Sequence, residues 1–266
     1  MILESDDNRE WIIMDSDDEE LNTELSHLNI KSSRLTAEKQ FSKDQDYYVL
    51  LSIDIGIVHL GMALLTYDKK TYKFRETVGI DLIDITTFPH PPEVDRCQCK
   101  LHHTKTFTDW MEHIFQYYET IFTGVDKILI ERQPPMGLVA IEQLIYTKYR
   151  NKCELIAPNS MHKFFHIGKF DYLIRKEKVE KIAKSYIIDP DIVTELDAFE
   201  RQHDISDAIC LGIFWLDTRH SEYITEQKMA AIRINSRGCP KGMCIDEYLA
   251  QFRYVPKKRK LSLDIN

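Results

Sequence analysis

Tyr48-Val49-Leu50-Leu51-Ser52-Ile53-Asp54 is an apolar run that ends on a carboxylate, with Gly56 two residues beyond. A short β-favouring run closed by turn residues reads as a buried strand. Its last residue is the anomaly. A buried, unpaired carboxylate costs roughly several kcal/mol, so Asp54 calls for a cation or a turn to cap. Outward from this strand, a second is expected at about Gly61 to Tyr67 and a third near Tyr72 to Ile80, joined by short turns into an antiparallel set. A helix follows Thr108, over Trp110 to Phe122, with Trp110, Ile114, Tyr117, Tyr118 and Ile121 at helical spacing. Val125 to Ile130 is a second buried strand, and it also delivers a carboxylate, Glu131. Beyond Pro134 and Pro135 the pattern gives a helix from Leu138 to Tyr149 and a strand from Cys153 to Ala157. A Lys-rich helix from Arg175 to Tyr186 and a last helix from Asp204 to Leu216 complete it. The expected class is α/β, with a central mixed five-stranded sheet, three strands antiparallel and then two parallel, flanked by helices.

The 266 residues suit one such domain with appendages, and 43% hydrophobic content is enough for a core. No apolar run reaches the roughly 18 residues of a membrane span, and the acidic start matches neither a secretory signal nor an Arg-rich transit peptide. A soluble, non-secreted protein without a membrane partner is the expectation. The net charge of −8 is concentrated in residues 1–45, which hold 12 acidic and five basic side chains; the remainder is close to neutral. Acidity therefore says little against a nucleic-acid partner, since bound cations neutralise carboxylates wherever these form a metal site. The expected organisation is an acidic tail over 1–45 whose composition resists packing, and a domain over 46–220 with a Pro-, Cys- and His-rich insertion at 86–104. A C-terminal extension over 221–255 and a basic tail over 256–266 follow.

A third acidic signal joins Asp54 and Glu131. Asp204 and Asp207 are three residues apart and share one helix face. The stretch after them, Ala208-Ile209-Cys210-Leu211-Gly212-Ile213-Phe214-Trp215, is almost wholly apolar, so this helix is buried with its acidic first turn aimed at something. Each piece alone has a plainer reading: Asp54 can start a turn, and Asp204 or Asp207 can serve a helix N-terminus. Together they form an oxygen-only donor set of the kind that takes Mg²⁺ or Mn²⁺. A pair of such ions activates water and stabilises the leaving oxygen of a phosphodiester.

Ser52-Ile53-Asp54-Ile55-Gly56, Leu129-Ile130-Glu131-Arg132-Gln133 and His203-Asp204-Ile205-Ser206-Asp207-Ala208 resemble the three catalytic blocks of RuvC-type Holliday junction resolvases, members of the RNase H-like superfamily. The resemblance is to the poxvirus and large-DNA-virus group and the fungal mitochondrial group. Ala157-Pro158-Asn159-Ser160 through Phe164-Phe165 resembles the stretch after the family's fifth strand. The match covers about residues 48–218. It implies an RNase H-like fold and a homodimer that nicks four-way DNA junctions in pairs during recombination or replication. It also implies two divalent ions per active site, held by Asp54, Glu131, Asp204 and Asp207. His203 is a further candidate beside the metals, or an ordinary solvated side chain.

The basic candidates for DNA contact are Lys163, Lys169, Arg175, Lys176, Lys178 and Lys181, interleaved with Phe164, Phe165, Phe170 and Tyr172, one of which could stack on an unpaired base. The plainer alternative is a solvated helix face over core aromatics. Arg132, Lys148, Arg150 and Lys152 form a second basic group. Cys97, Cys99, Cys239 and Cys244 suit a structural Zn²⁺, with free thiols as the alternative. Trp11-Ile12-Ile13-Met14 and the acidic run to Glu20 resemble a SUMO-interacting motif, and Ser16 suits an acidophilic kinase. Pro256-Lys257-Lys258-Arg259-Lys260 resembles a nuclear import signal, so a nuclear site or a cytoplasmic viral replication site is expected. Rival functions are an inactive RuvC-like DNA-binding factor and an RNA–DNA hybrid nuclease. An actin-like ATPase, which also opens on an Asp-x-Gly strand, fits less well because the second phosphate loop is missing.

Overall fold

The computed structural model describes residues 46–56, 58–86, 106–135 and 137–235. The N-terminal tail with its SUMO-like motif, the insertion, Cys97, Cys99, Cys239, Cys244 and the basic tail lie outside the described residues. Five strands form one sheet: β1 (Tyr47–Ile55), β2 (His59–Asp68), β3 (Phe74–Asp84), β4 (Lys127–Glu131) and β5 (Cys153–Ile156). Their spatial order is β3-β2-β1-β4-β5. β1, β2 and β3 are antiparallel neighbours, while β4 runs parallel to β1 and β5 parallel to β4. This is the expected mixed sheet, three antiparallel strands followed by two parallel ones.

Strand periodicity assigns each side chain to a face. Val49, Leu51, Ile53 and Ile55 of β1, with Ile128 and Ile130 of β4, pack into one core against α1 (Phe107–Tyr117), α2 (Glu119–Gly124) and α3 (Val139–Lys148). Leu50 and Leu129 pack into the other, beneath α5 (Tyr172–Tyr186), α6 (Pro190–Ala198) and α7 (Gln202–Asn235). Each fully buried Leu or Ile here stabilises by about 1.5–3 kcal/mol. Asp54 shares parity with Leu50, and Glu131 with Leu129. Both carboxylates therefore face the α7 side of the sheet.

Several boundaries differ from the sequence expectation. β3 begins at Phe74 rather than Tyr72, because Tyr72 has φ 57° and closes a turn in which Asp68 Oδ1 accepts from Lys70 N, Thr71 N and Thr71 Oγ1. The single helix expected over Trp110 to Phe122 is two, broken at Tyr118, whose phenol donates to Asp81 Oδ2 at 2.6 Å. α5 starts at Tyr172, three residues before Arg175. α6 and the short helix α4 (Pro158–Phe164) were not expected; both carry proline at the first turn, where a missing N–H does no harm. α7 runs past Leu216 to Asn235, since no glycine or proline interrupts the chain before Gly238. No helix among the described residues is long and apolar enough to cross a membrane.

Candidate active site

β1 and β4 are parallel neighbours with Ile53 opposite Ile130, so the next residues, Asp54 and Glu131, emerge side by side at the same sheet edge. α7 comes down on them from above. Gly61, the β2 partner of Asp54, makes this approach feasible: a Cβ there would sit 2.2 Å from the carbonyl oxygen of Asp204. The helix backbone thus lies directly on the strand, and Asp204 and Asp207 are delivered over Asp54. Asp54, Glu131 and Asp207 thus lie close enough for their charges to interact, and Lys176 links Asp207 to Asp204.

Asp54 is 8% exposed and Asp204 3%. Burial, then the negative charges of Asp207 and Glu131, push the Asp54 carboxyl well above the ordinary carboxylate range, with Lys176 pulling the other way. Glu131 is raised as well, chiefly by burial and with Asp207 adding to it. The Asp54 and Glu131 carboxyl groups lie within hydrogen-bonding reach of each other, an interaction that raises Asp54 further. Like charges this close and this dry cannot all ionise unaided. Each raised pKa marks a place where a cation would relieve the repulsion.

The cation present is an ammonium. Lys176 Nζ lies 2.7 Å from Asp207 Oδ2 and 3.9 Å from Asp204 Oδ1. Burial opposes its charge, yet Asp207 holds its pKa above the usual lysine value. Asp204 has two further partners: Arg201 Nε at 2.8 Å and His203 Nε2 at 3.1 Å. Burial lowers the pKa of His203, and that of His162, which also feels Arg175, Asp207 and Lys176. Behind Glu131, the Glu142 carboxylate accepts the Gln133 backbone N–H at 2.5 Å and fixes the exit of β4.

Among the described residues, no three His, Cys, Asp or Glu side chains stand close enough as arranged to hold a metal ion. The donor set still fits one. It is all oxygen, with Asp54 and Asp204 buried and Glu131 and Asp207 half-buried, and beyond Lys176 its basic contacts are those of Arg201 and His203 to Asp204.

The basic candidates divide. Lys176 points into the carboxylates rather than outward. Arg175 caps the Tyr172 ring at 5.7 Å, Lys169 and Lys178 lie over Phe170, and Lys181 pairs with Glu177 at 2.6 Å. Lys163 is exposed on α4. Of the aromatics, Phe165 and Phe170 pack against the core, Phe164 is 37% exposed and Tyr172 57%. Lys152 is committed elsewhere, donating to the carbonyls of Thr123 and Val125, and Lys148 pairs with Glu112. Arg201 and His162 were not anticipated. Arg201 stands three residues before Asp204, a spacing that pairs side chains on a helix; His162 is brought in by tertiary packing and leaves no sequence signal.

A cavity of about 580 Å³ lies at the opposite end of the sheet, lined by Tyr48, Tyr67, Tyr72 and Trp215. Its lysine and arginine, Lys127 and Arg219, are both paired with Glu154, and the acidic cluster does not line it.

No protein-family model matches the sequence, and no curated protein matches it. Solved structures do resemble the fold. The fowlpox virus resolvase in complex with its substrate Holliday junction DNA aligns with 16% identity and a TM-score of 0.46, covering 64% of this chain and 97% of that one. The yeast mitochondrial Holliday junction resolvase aligns with 13% identity and a TM-score of 0.46, covering 74% and 90%. Thermus thermophilus RuvC in complex with a Holliday junction substrate aligns with 12% identity and a TM-score of 0.41, covering 65% and 96%.

Proposed function

We propose that this protein is a divalent-metal-dependent endonuclease that cuts branched DNA, with the four-way junction as its substrate. The observation that carries the reading is the meeting of Asp54, Glu131 and Asp207, whose negative charges act on one another, beside the buried Asp204 at one sheet edge. Groups that destabilise one another this way are retained where their function needs them. Junction specificity is taken from the resemblance of the three sequence blocks to RuvC-type resolvases.

Bound Mg²⁺ or Mn²⁺ would supply an activated water and stabilise the leaving oxygen of the phosphodiester. Asp54 and Glu131, fixed on adjacent strands, would hold the ions from the sheet side, and Asp204 and Asp207 would supply further carboxylate oxygens from α7. Arg201 and His203 orient the Asp204 carboxylate, and Glu142 holds the strand exit behind Glu131. Arg175, Lys163, Lys169, Lys178 and Lys181 form the positive rim, where phosphates would make affinity fall with salt. A homodimer would present two such sites to two strands of one junction. A zinc site on Cys97, Cys99, Cys239 and Cys244, a SUMO-type partner on residues 11–20 and a nuclear or viral replication site complete the proposal.

The test is cleavage of a synthetic four-way junction, a linear duplex and an RNA–DNA hybrid in Mg²⁺, by the wild type and by Asp54→Asn. Junction-selective nicking that Asp54→Asn abolishes, with junction binding retained, is expected. Hybrid-selective cleavage would move the protein to another activity of the same chemistry. Binding without any cleavage would favour the inactive DNA-binding factor.

A further inference from the structure

We propose that Lys176 is the resident counter-ion of the carboxylate cluster, and that a divalent cation binds only by displacing its ammonium. The inference rests on the metal reading above and adds to it a residue that sets metal affinity. Lys176 lies on the face of α5 that also carries Val179 and Ala183, both fully buried. An apolar side chain is expected there. The lysine instead reaches across to α7, its side chain 20% exposed, and contacts Asp207 at 2.7 Å and Asp204 at 3.9 Å. Its charge also acts on Asp54 and Glu131. One ammonium therefore serves all four carboxyl groups.

An ammonium and a metal ion seek the same carboxylate lone pairs, and two positive charges a few ångströms apart in a dry site repel. An ammonium held on Asp207 Oδ2 therefore opposes a metal ion on the same carboxylate. Other charges around the cluster do not replace the lysine: Arg201 and His203 touch only Asp204, and Arg175 lies over Tyr172. The four-carbon stem of a lysine can swing, unlike the planar fork of an arginine. The exposed Tyr172 ring, shared with Arg175, already lies 5.6 Å from Nζ and offers a cation–π face at the rim toward which the ammonium can withdraw. Leaving Asp207 frees its Oδ2, so that the carboxylate can turn toward Asp54 and Glu131.

The experiment measures Mn²⁺ binding by titration calorimetry on the full chain without DNA, and thermal unfolding in EDTA and in Mg²⁺. The proteins are the wild type, Lys176→Met, Lys176→Gln, and Lys70→Met as a charge-matched control in the distant β2–β3 turn. Both Lys176 variants should bind Mn²⁺ at least ten-fold more tightly than the wild type. They should unfold at lower temperature in EDTA and gain more from Mg²⁺, while Lys70→Met matches the wild type in each. Should Lys176→Met not fold in EDTA, Lys176→Gln, which keeps a hydrogen-bond donor without charge, carries the comparison. Mn²⁺ affinity equal to or below that of the wild type overturns the counter-ion role and leaves the metal reading standing. Absence of Mn²⁺ binding in all four proteins overturns both.

Discussion

Gly61→Ala should damage stability and cleavage together, because one contact holds the helix to the sheet and positions the acid. A Cβ at Gly61 would lie 2.2 Å from the Asp204 carbonyl oxygen, 2.4 Å from its carbon and 2.9 Å from the Ile205 nitrogen. All three are backbone atoms, so no side chain can turn aside. The start of α7 must lift by about 1 Å to restore ordinary contact, and overpacking of this kind costs about 1–3 kcal/mol. For a domain of this size that corresponds to a Tm lower by roughly 2–12 °C, with the upper half expected for a backbone clash. The same lift carries Asp204 away from Asp54, and a misplacement of about 1 Å at a reacting centre costs on the order of 10²-fold in rate. Thermal unfolding and single-turnover junction cleavage read the two effects. Gly212→Ala separates them: its Cβ meets Leu65 Cδ1 at 2.1 Å, the movable end of a side chain, so stability falls while cleavage persists. Gly168→Ala, whose nearest neighbour is 3.7 Å away, should match the wild type in both. A Gly61→Ala protein with wild-type Tm and cleavage would refute the reasoning.

Two further outcomes follow from groups behind the site. Glu142→Ala removes the acceptor of the partly buried Gln133 N–H, costing about 1–3 kcal/mol, and loosens Glu131; Glu142→Gln keeps an acceptor and should restore most of the cleavage rate. Equal cleavage by Glu142→Ala and the wild type would remove Glu142 from the positioning scheme. Asp81, raised to about 6 by burial against hydrogen bonds from the Tyr118 hydroxyl and Leu82 N–H, binds its proton more tightly in the folded chain than in the unfolded one. Stability from this group is therefore present in acid and falls as pH rises from about 4 to 6, by roughly 3 kcal/mol in all. Asp81→Asn should gain on the wild type across that interval in a pH series of unfolding curves, and parallel curves would contradict the assignment.

Much of this site was legible in sequence because strand parity and helix spacing are local. Two apolar strands each ended on a carboxylate, and the i, i+3 pair opened an apolar helix, so four oxygen donors on one side of a sheet could be anticipated. What was not legible is tertiary. Lys176 reads as one of several lysines on a solvated face; only the packing of α5 on α7 turns it inward. Lys152 reads as part of a basic patch but is spent on two carbonyls at the end of α2. The break at Tyr118 depends on an acid 37 residues away, and the turn that delays β3 depends on an unusual φ at Tyr72. α6 was missed because its nine residues between Asp189 and Phe199 look like a polar connection until Ile192 and Leu196 are seen in the core.

The central claim is that the four carboxylates gather to hold divalent cations. Anomalous scattering from a crystal grown with Mn²⁺ tests it most directly. The account predicts manganese density bounded by Asp54, Glu131 and Asp207, with the Lys176 ammonium withdrawn from Asp207. A Mn²⁺-saturated crystal with no density there, and with Lys176 still bonded to Asp207, would contradict it.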